Sequence, residues 1–125
     1  MFKNEIFKKD SISKRPIQVS KEIKAIISDL LVKSKIKDPI LFDASIIISE
    51  VITTNDFSYA KVYFYPLGSL LNPQDTLKAL NKNAGIFRKY IGKKLHIRHI
   101  PEIEFYLDNQ FDKLEKVEEM FKKIK

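Results

Sequence analysis

The clearest hydrophobic pattern in the chain is a helical one in its first third. Apolar residues recur there at helical spacing, as on one face of an α-helix: Val19, Ile23, Ile26, Ile27, Leu30 and Leu31. We predict an amphipathic helix that begins between Ser13 and Ser20, with Pro16 in its first turn, where its missing N–H costs nothing. The helix ends before Asp38-Pro39, because a proline disfavours helical backbone at the preceding residue.

Three segments predict strands, either by their β-branched residues or by alternation of apolar and polar residues. Residues 44–53 are rich in β-branched side chains, and residues 59–65 place three apolar residues on one face. The turn residues 54–58 between them make this pair an antiparallel hairpin. Alternation returns within residues 97–107 as a third strand, and Pro101 near its start indicates a sheet edge or a bulge.

The segment between the second and third strands shows helical periodicity. Asn72 and Pro73 have the chemistry of a helix N-terminus. Apolar residues follow at spacings typical of helices: Leu77, Leu80, Ile86, Phe87, Tyr90, Ile91 and Leu95. We predict that Gly85 interrupts this segment and that residues 111–125 form a last amphipathic helix. The order α-β-β-α-α-β-α is that of an α+β domain with helices packed on a three-stranded sheet.

The net charge of the chain is concentrated in residues 76–101. This stretch has no acidic residue and seven basic ones: Lys78, Lys82, Arg88, Lys89, Lys93, Lys94 and Arg98. The whole chain has 23 Lys plus Arg and 16 Asp plus Glu, so without these seven the two signs balance. A cationic helix pair is typical of a polyanion site, most often for nucleic acid. The alternative is a solvated face in a lysine-rich protein.

Composition narrows the class of protein. A chain of 125 residues predicts one domain that buries roughly two thirds of its unfolded surface without a metal or disulfide. The absence of cysteine excludes disulfides and Cys-ligated zinc. The charged first residues are unlike a secretory signal, and no apolar run is long enough to span a membrane. We therefore expect a cytoplasmic protein without a membrane partner, in which residues 1–13 are a loosely held, charged leader.

Candidate catalytic residues are few. His96 and His99 have no HExxH arrangement, so we assign them to the basic surface rather than to a metal. Glu102 and Glu104 share one strand face, which is also the pattern of a solvated strand. No glycine motif for nucleotide phosphates is present, and we expect no cofactor. Three tyrosines could either stack on bases or pack beneath a helix, and packing is favoured: Tyr59, Tyr63 and Tyr65.

Four short motifs follow one another along the chain. They are Lys37-Asp38-Pro39, the run 56–63 (DFSYAKVY), the run 79–88 (ALNKNAGIFR) and the run 98–108 (RHIPEIEFYLD). They resemble, in order and spacing, the motifs (K/R)-D-P, D-L-S-x-A-x-V-Y, A-L-x-x-A-x-G-x-x-R and R-x-x-P-x-L-x-F-x-x-D of the ribosome-binding factor A family. Each motif alone is weak, but their sequence over residues 15–121 makes the resemblance to these bacterial small-subunit assembly factors specific.

The resemblance implies a single-domain type II KH-like fold over residues 14–110, followed by the C-terminal helix. In this family an A-x-G kink between two helices replaces the usual G-x-x-G loop, and the matching positions are Asn83, Ala84 and Gly85. Asparagine at 83 stands where the family has alanine, and Ile40 stands where it often has arginine. The glycine is expected to supply the backbone freedom for the kink.

The resemblance also implies a non-enzymatic factor without a cofactor. Such a factor binds the free 30S small subunit and its 16S rRNA, assists late rRNA processing and is needed for growth in the cold. We accordingly predict a monomer whose RNA-binding surface contacts phosphates through the basic residues of the stretch: Lys78, Lys82, Arg88, Lys89, Lys93, Lys94 and Arg98. Two alternatives remain, a basic KH-like module for an acidic protein or another structured RNA, and a small enzyme that acts on RNA.

Overall fold

The structure, a computed structural model, describes residues 2–43, 45–67 and 72–108 of the chain. Its elements in chain order are α1 (Phe2–Val32), α2 (Pro39–Asp43), β1 (Ser45–Thr53), β2 (Tyr59–Leu67), α3 (Pro73–Lys82), α4 (Ala84–Lys94) and β3 (Glu102–Leu107). The predicted α+β fold with a three-stranded sheet is confirmed. The helix predicted for residues 111–125 lies outside the described residues. Among the described helices, none is both long and apolar enough to cross a membrane.

β2 is the central strand of a mixed sheet with the order β1-β2-β3. It pairs antiparallel with β1, as the hairpin prediction required, with a bulge at Ser49. It pairs parallel with β3, from Tyr59 opposite Glu102 to Phe64 opposite Leu107. Parallel neighbours need a long crossover connection, and here α3 and α4 form it. β3 lies at an edge of the sheet, which confirms the prediction made from Pro101.

The core lies between one face of the sheet and the helices α1, α3 and α4. The alternating residues Val62 and Phe64 of β2 are fully buried on that face, as are Phe87 and Ile91 of α4. The Phe87 ring lies 5.1 Å from that of Phe105 on β3, tilted by 57°. Burying side chains of this size stabilises a fold by about 1.5–3 kcal/mol each. The inner face of the crossover is therefore held on the sheet, and its outer face is left to solvent.

Two boundaries differ from the sequence prediction. α1 begins at Phe2 rather than between Ser13 and Ser20, so Pro16 lies inside the helix. That residues 1–13 form a loosely held leader stays a prediction. The short helix α2 was not predicted. Asp38-Pro39 predicts a helix stop, and in the structure Asp38 also caps α2, because its Oδ1 accepts from the Ile40 N–H at 3.0 Å.

α1 ends in a Schellman motif at Ser34 and Lys35. The Lys35 N–H donates to the Leu30 carbonyl at 3.0 Å and the Ser34 N–H to that of Leu31 at 3.2 Å. Ser34 has a φ of 52°, in the left-handed region where a Cβ costs roughly 1–2 kcal/mol. Glycine would avoid that cost, although it loses more backbone entropy on folding.

We expect Ser34→Gly to raise the free energy of unfolding by about 0.5–1 kcal/mol, because the relief of the left-handed strain exceeds the entropy loss. Urea denaturation measures the change. Ala25→Gly is the matched control, since Ala25 is exposed inside α1. There we expect a loss of about 1 kcal/mol, because glycine is a poor helix former. A loss of stability in both variants would contradict the motif.

Asp56 organises the β1–β2 turn. It accepts from the Ser58 hydroxyl at 2.7 Å, the Ser58 N–H at 3.0 Å and the Thr54 hydroxyl at 2.8 Å. The Ser58 hydroxyl contributes most, and together these bonds lower the pKa of the Asp56 carboxyl from 3.8 to about 2. A lowered folded-state pKa means that the ionised turn is stabilised at any pH above the unfolded value.

We expect the stability contribution of Asp56 to be fully present above pH 4 and to be lost as the pH falls through about 2. The difference in melting temperature between the wild type and Asp56→Ala should therefore shrink between roughly pH 4 and pH 2. A carboxyl titration of Asp56 by NMR provides the direct measurement. A midpoint near 4 would show that the three hydrogen bonds do not persist in solution.

Candidate nucleic-acid interface

Six of the seven predicted phosphate contacts are exposed side chains on or after the crossover. Lys78 and Lys82 lie one turn apart on α3, and Lys89 and Lys93 lie one turn apart on α4. The last two stand at the end of α4 and in the loop before β3: Lys94 and Arg98. Within the described residues, neither of the two ion pairs involves any of these six side chains. Their positive charges are therefore not neutralised by a carboxylate at ion-pair distance.

The break between α3 and α4 occurs at Asn83. Its backbone N–H donates to the Ala79 and Leu80 carbonyls, and its own carbonyl accepts from Ile86 and Phe87, so it ends one helix and starts the next. The prediction that Gly85 interrupts the helix is wrong, since Ala84 and Gly85 are the first two residues of α4. Their backbone is helical, so the kink does not require the conformational freedom of glycine. The departure from helical geometry lies at Asn83, whose φ is −97° and whose ψ is 10°.

The side chain of Asn83 joins this break to the loop that follows α1. Its Nδ2 donates to Asp38 Oδ2 at 2.9 Å and to the Ala79 carbonyl at 2.7 Å. Asn83 and Asp38 are both buried, and buried carboxylates are stable only when their oxygens are hydrogen-bonded. The Asn83–Asp38 contact therefore holds the helix junction against residues 37–40.

Arg88 is the exception among the seven. Its Nε and Nη2 donate to the carbonyls of Pro101 and Ile100, each at 3.0 Å, and its Nη1 lies 3.6 Å from a Glu102 carboxylate oxygen. The guanidinium thus ties α4 to the entrance of β3. Because its donors are used within the protein, Arg88 stabilises the scaffold on which the lysines stand, and it is a weak candidate for a phosphate contact.

Two grooves bring in basic residues that the sequence analysis missed. The first, between the loop after α1 and helix α3, is lined by Lys37, Lys78 and Lys82. The second, between α1 and the end of α4, is lined by Arg15, Lys94 and His96. Lys37 and Arg15 lie outside the acid-free stretch 76–101, so a search for such stretches passes over them. Only the tertiary fold places them beside the crossover.

The other candidate groups do not converge on a site. His96 and His99 are exposed in the loop between α4 and β3. In the part of the chain that the structure describes, no three His, Cys, Asp or Glu side chains are grouped to hold a metal ion.

On the outer sheet face the Tyr63 and Tyr106 rings lie 5.6 Å apart. Burial first, and then the hydrogen bond that its hydroxyl donates to the Glu104 carboxylate, raise the pKa of Tyr106. Tyr65 is buried, which agrees with packing rather than base stacking.

Comparison with known proteins gives a consistent set of matches. A family model described as ribosome-binding factor A matches residues 15–121. A ribosome-binding factor A from Ruegeria pomeroyi is 35% identical over 121 residues, which cover 97% of this chain and 92% of that protein. The chain is also similar to the solution structure of a Thermotoga maritima protein described as a ribosome binding factor A. That structure is 31% identical, with a TM-score of 0.61 over 74% of this chain and 85% of the other.

A second similar structure shares the fold at lower sequence identity. It is a homology model of the Thermus thermophilus ribosome binding factor A, fitted into a cryo-EM map of a 30S complex. The identity is 18% and the TM-score 0.51, over 70% of this chain and 92% of that one.

We expect Arg88→Ala to destabilise the fold by about 1.5–3 kcal/mol, since hydrogen bonds from a charged donor to buried carbonyls are lost. Lys89→Ala is the matched control, because it removes the same charge from an exposed neighbouring position and should change stability by no more than about 0.5 kcal/mol. Urea denaturation of both variants measures the difference. Equal stability of the two would show that the Arg88 contacts to residues 100–102 add nothing.

Proposed function

Because the chain belongs to the ribosome-binding factor A family, we propose that it binds the small ribosomal subunit through the outer surface of α3 and α4. The observation that carries this proposal is a set of four exposed lysines in two pairs, Lys78 with Lys82 and Lys89 with Lys93. They stand on a crossover that has no acidic residue between positions 76 and 101. The Thermus thermophilus factor, fitted into a 30S complex, makes the small subunit the first partner to test.

Phosphate groups of rRNA are the ligand that this surface fits. Phosphate contacts supply most of the affinity of a basic protein for nucleic acid. A lysine ammonium is a point charge on a flexible stem and lacks the planar fork with which arginine reads bases. The deep, narrow major groove of A-form RNA also hides base edges from side chains. The surface is therefore suited to recognise the arrangement of phosphates in structured rRNA rather than a base sequence.

The finer parts of the proposal rest on family membership. The protein acts without catalysis, as a monomer in the cytoplasm, on the free 30S subunit and its 16S rRNA. It assists late rRNA processing and supports growth in the cold. In this proposal residues 14–110 are the KH-like RNA-binding unit.

Sedimentation against separated ribosomal subunits at two salt concentrations tests the partner. An RNase-treated pull-down then separates an RNA-dependent complex from one with an acidic protein. If about five phosphates are contacted, the logarithm of the binding constant should fall with that of the salt concentration at a slope of roughly −3.5 to −4.5. Binding that resists RNase, or equal affinity for both subunits, would overturn the proposal.

We expect the double variant Lys89→Glu/Lys93→Glu to bind the small subunit more weakly, with a salt slope smaller in magnitude by about 1.4–1.8, because roughly two phosphate contacts are lost. Both side chains are exposed, so the circular dichroism spectrum should not change.

The matched control is Lys21→Glu/Lys35→Glu, which makes the same charge change at two exposed lysines outside the crossover. It should leave the salt slope unchanged. Unchanged co-sedimentation of the first variant would remove Lys89 and Lys93 from the site, and an equal loss in both would point to net charge alone.

A further inference from the structure

The groove between residues 37–40 and α3 contains three lysines that come from two separate parts of the chain. Lys37 stands on one wall, and Lys78 and Lys82 stand one turn apart on the other. All three are exposed, and within the described residues none of them takes part in an ion pair. The groove has a volume of about 510 Å³. A water molecule takes up roughly 30 Å³, so the groove has room for a phosphodiester group with several waters.

The groove also contains two carboxylates, Asp38 and Asp75, so its formal charge is +1 rather than the +3 of its lysines alone. Both oxygens of Asp38 are occupied by internal donors, Oδ1 by the Ile40 N–H at 3.0 Å and Oδ2 by Asn83 at 2.9 Å. Asp75 is exposed in the first turn of α3, where the positive end of the helix dipole favours a carboxylate. The groove thus has an excess of one positive charge, and of its two carboxylates the buried one, Asp38, has both oxygens hydrogen-bonded inside the protein.

We infer that this groove is a phosphate subsite, in which Lys37 acts together with Lys78 and Lys82 on one segment of RNA backbone. The inference rests on the proposed function, since it takes the RNA to be that of the small subunit. It adds a binding residue, Lys37, from outside the acid-free stretch. The ligand is a phosphodiester rather than a base edge, because none of the three cations is an arginine and the groove is open to solvent.

Asn83 is the positioning residue of this subsite. Its amide donates to Asp38 on one side and to the Ala79 carbonyl on the other, and so it joins the two walls of the groove. Lys37 directly precedes Asp38 in the chain, and Lys82 directly precedes Asn83. The bond between Asp38 and Asn83 therefore sets the separation of Lys37 from the lysines of α3. Without it, Lys37 would keep its charge but lose its fixed distance to its partners.

Lys37→Ala in the full-length chain tests the subsite. One lost phosphate contact reduces the salt slope by about 0.7–0.9, which corresponds to roughly five- to eightfold weaker binding at 0.1 M salt. Lys35→Ala is the matched control, because Lys35 is exposed two residues away and does not line the groove. Binding is measured against the purified small subunit and against a structured RNA hairpin unrelated to rRNA. A loss confined to Lys37→Ala supports the subsite, and equal losses in both variants overturn it.

Combination with Asn83→Ala tests the positioning role. In that background, with folding checked by circular dichroism, Lys37→Ala should weaken binding less than about twofold, because contacts within one network are not additive. If Lys37→Ala still weakens binding by its full factor in that background, Asn83 has a purely structural role. If Asn83→Ala does not fold, Asn83→Ser is used, since its hydroxyl is too short to keep both hydrogen bonds.

The two RNA targets separate the subsite from the proposed function. Wild-type binding to the subunit with no effect of Lys37→Ala overturns the subsite alone. Hairpin binding that depends on Lys37, without binding to the subunit, overturns the proposed function and retains the subsite. If neither target is bound, both are overturned.

Discussion

The parallel pairing of β2 with β3 is the constraint on which the rest of the molecule depends. It forces the chain to return across the sheet, and the return is made by 10 residues of α3 and 11 of α4. As one straight rod these would measure about 31 Å, whereas the six residues of β3 extend only about 20 Å. A break between the helices lets both lie on the sheet. The inner faces are then fixed by the core, and the lysines of both helices lie on the outer surface.

Burial divides the polar residues of this region into two groups with different tasks. Asn83, Asp38 and Arg88 are buried or half-buried, and each uses its donors or acceptors inside the protein. A buried polar group is expensive without such partners, so these three act on the scaffold. The exposed lysines keep their ammonium groups in water and remain available to an external anion. Arg88 and the exposed lysines of the same basic stretch therefore have different roles, although their formal charges are equal.

The sequence predicted most of the architecture, because strand alternation and helical spacing report directly on which face is buried. Residues 59–65 and the capping pair Asn72-Pro73 are examples. The sequence prediction was wrong or incomplete where one local pattern is compatible with two structures. Asp38-Pro39 ends one helix and also begins α2, and a glycine near a break is not always its cause. Nothing in the sequence around Arg88 indicates its contacts with residues 100–102, and nothing around Lys37 indicates that it lines a groove with α3.

A rigid frame that carries flexible cations explains how such a surface can be selective without reading bases. Two lysines one turn apart have Cβ atoms about 6 Å apart, within the Debye length of roughly 8 Å at physiological salt. Each pair therefore acts on the same neighbourhood of phosphates, whereas clusters further apart act almost independently. Each contact is weak and screened, so the affinity is a sum over clusters. We therefore propose that only an RNA whose phosphates match the fixed arrangement of the clusters would engage all of them, and that the break at Asn83 sets this arrangement.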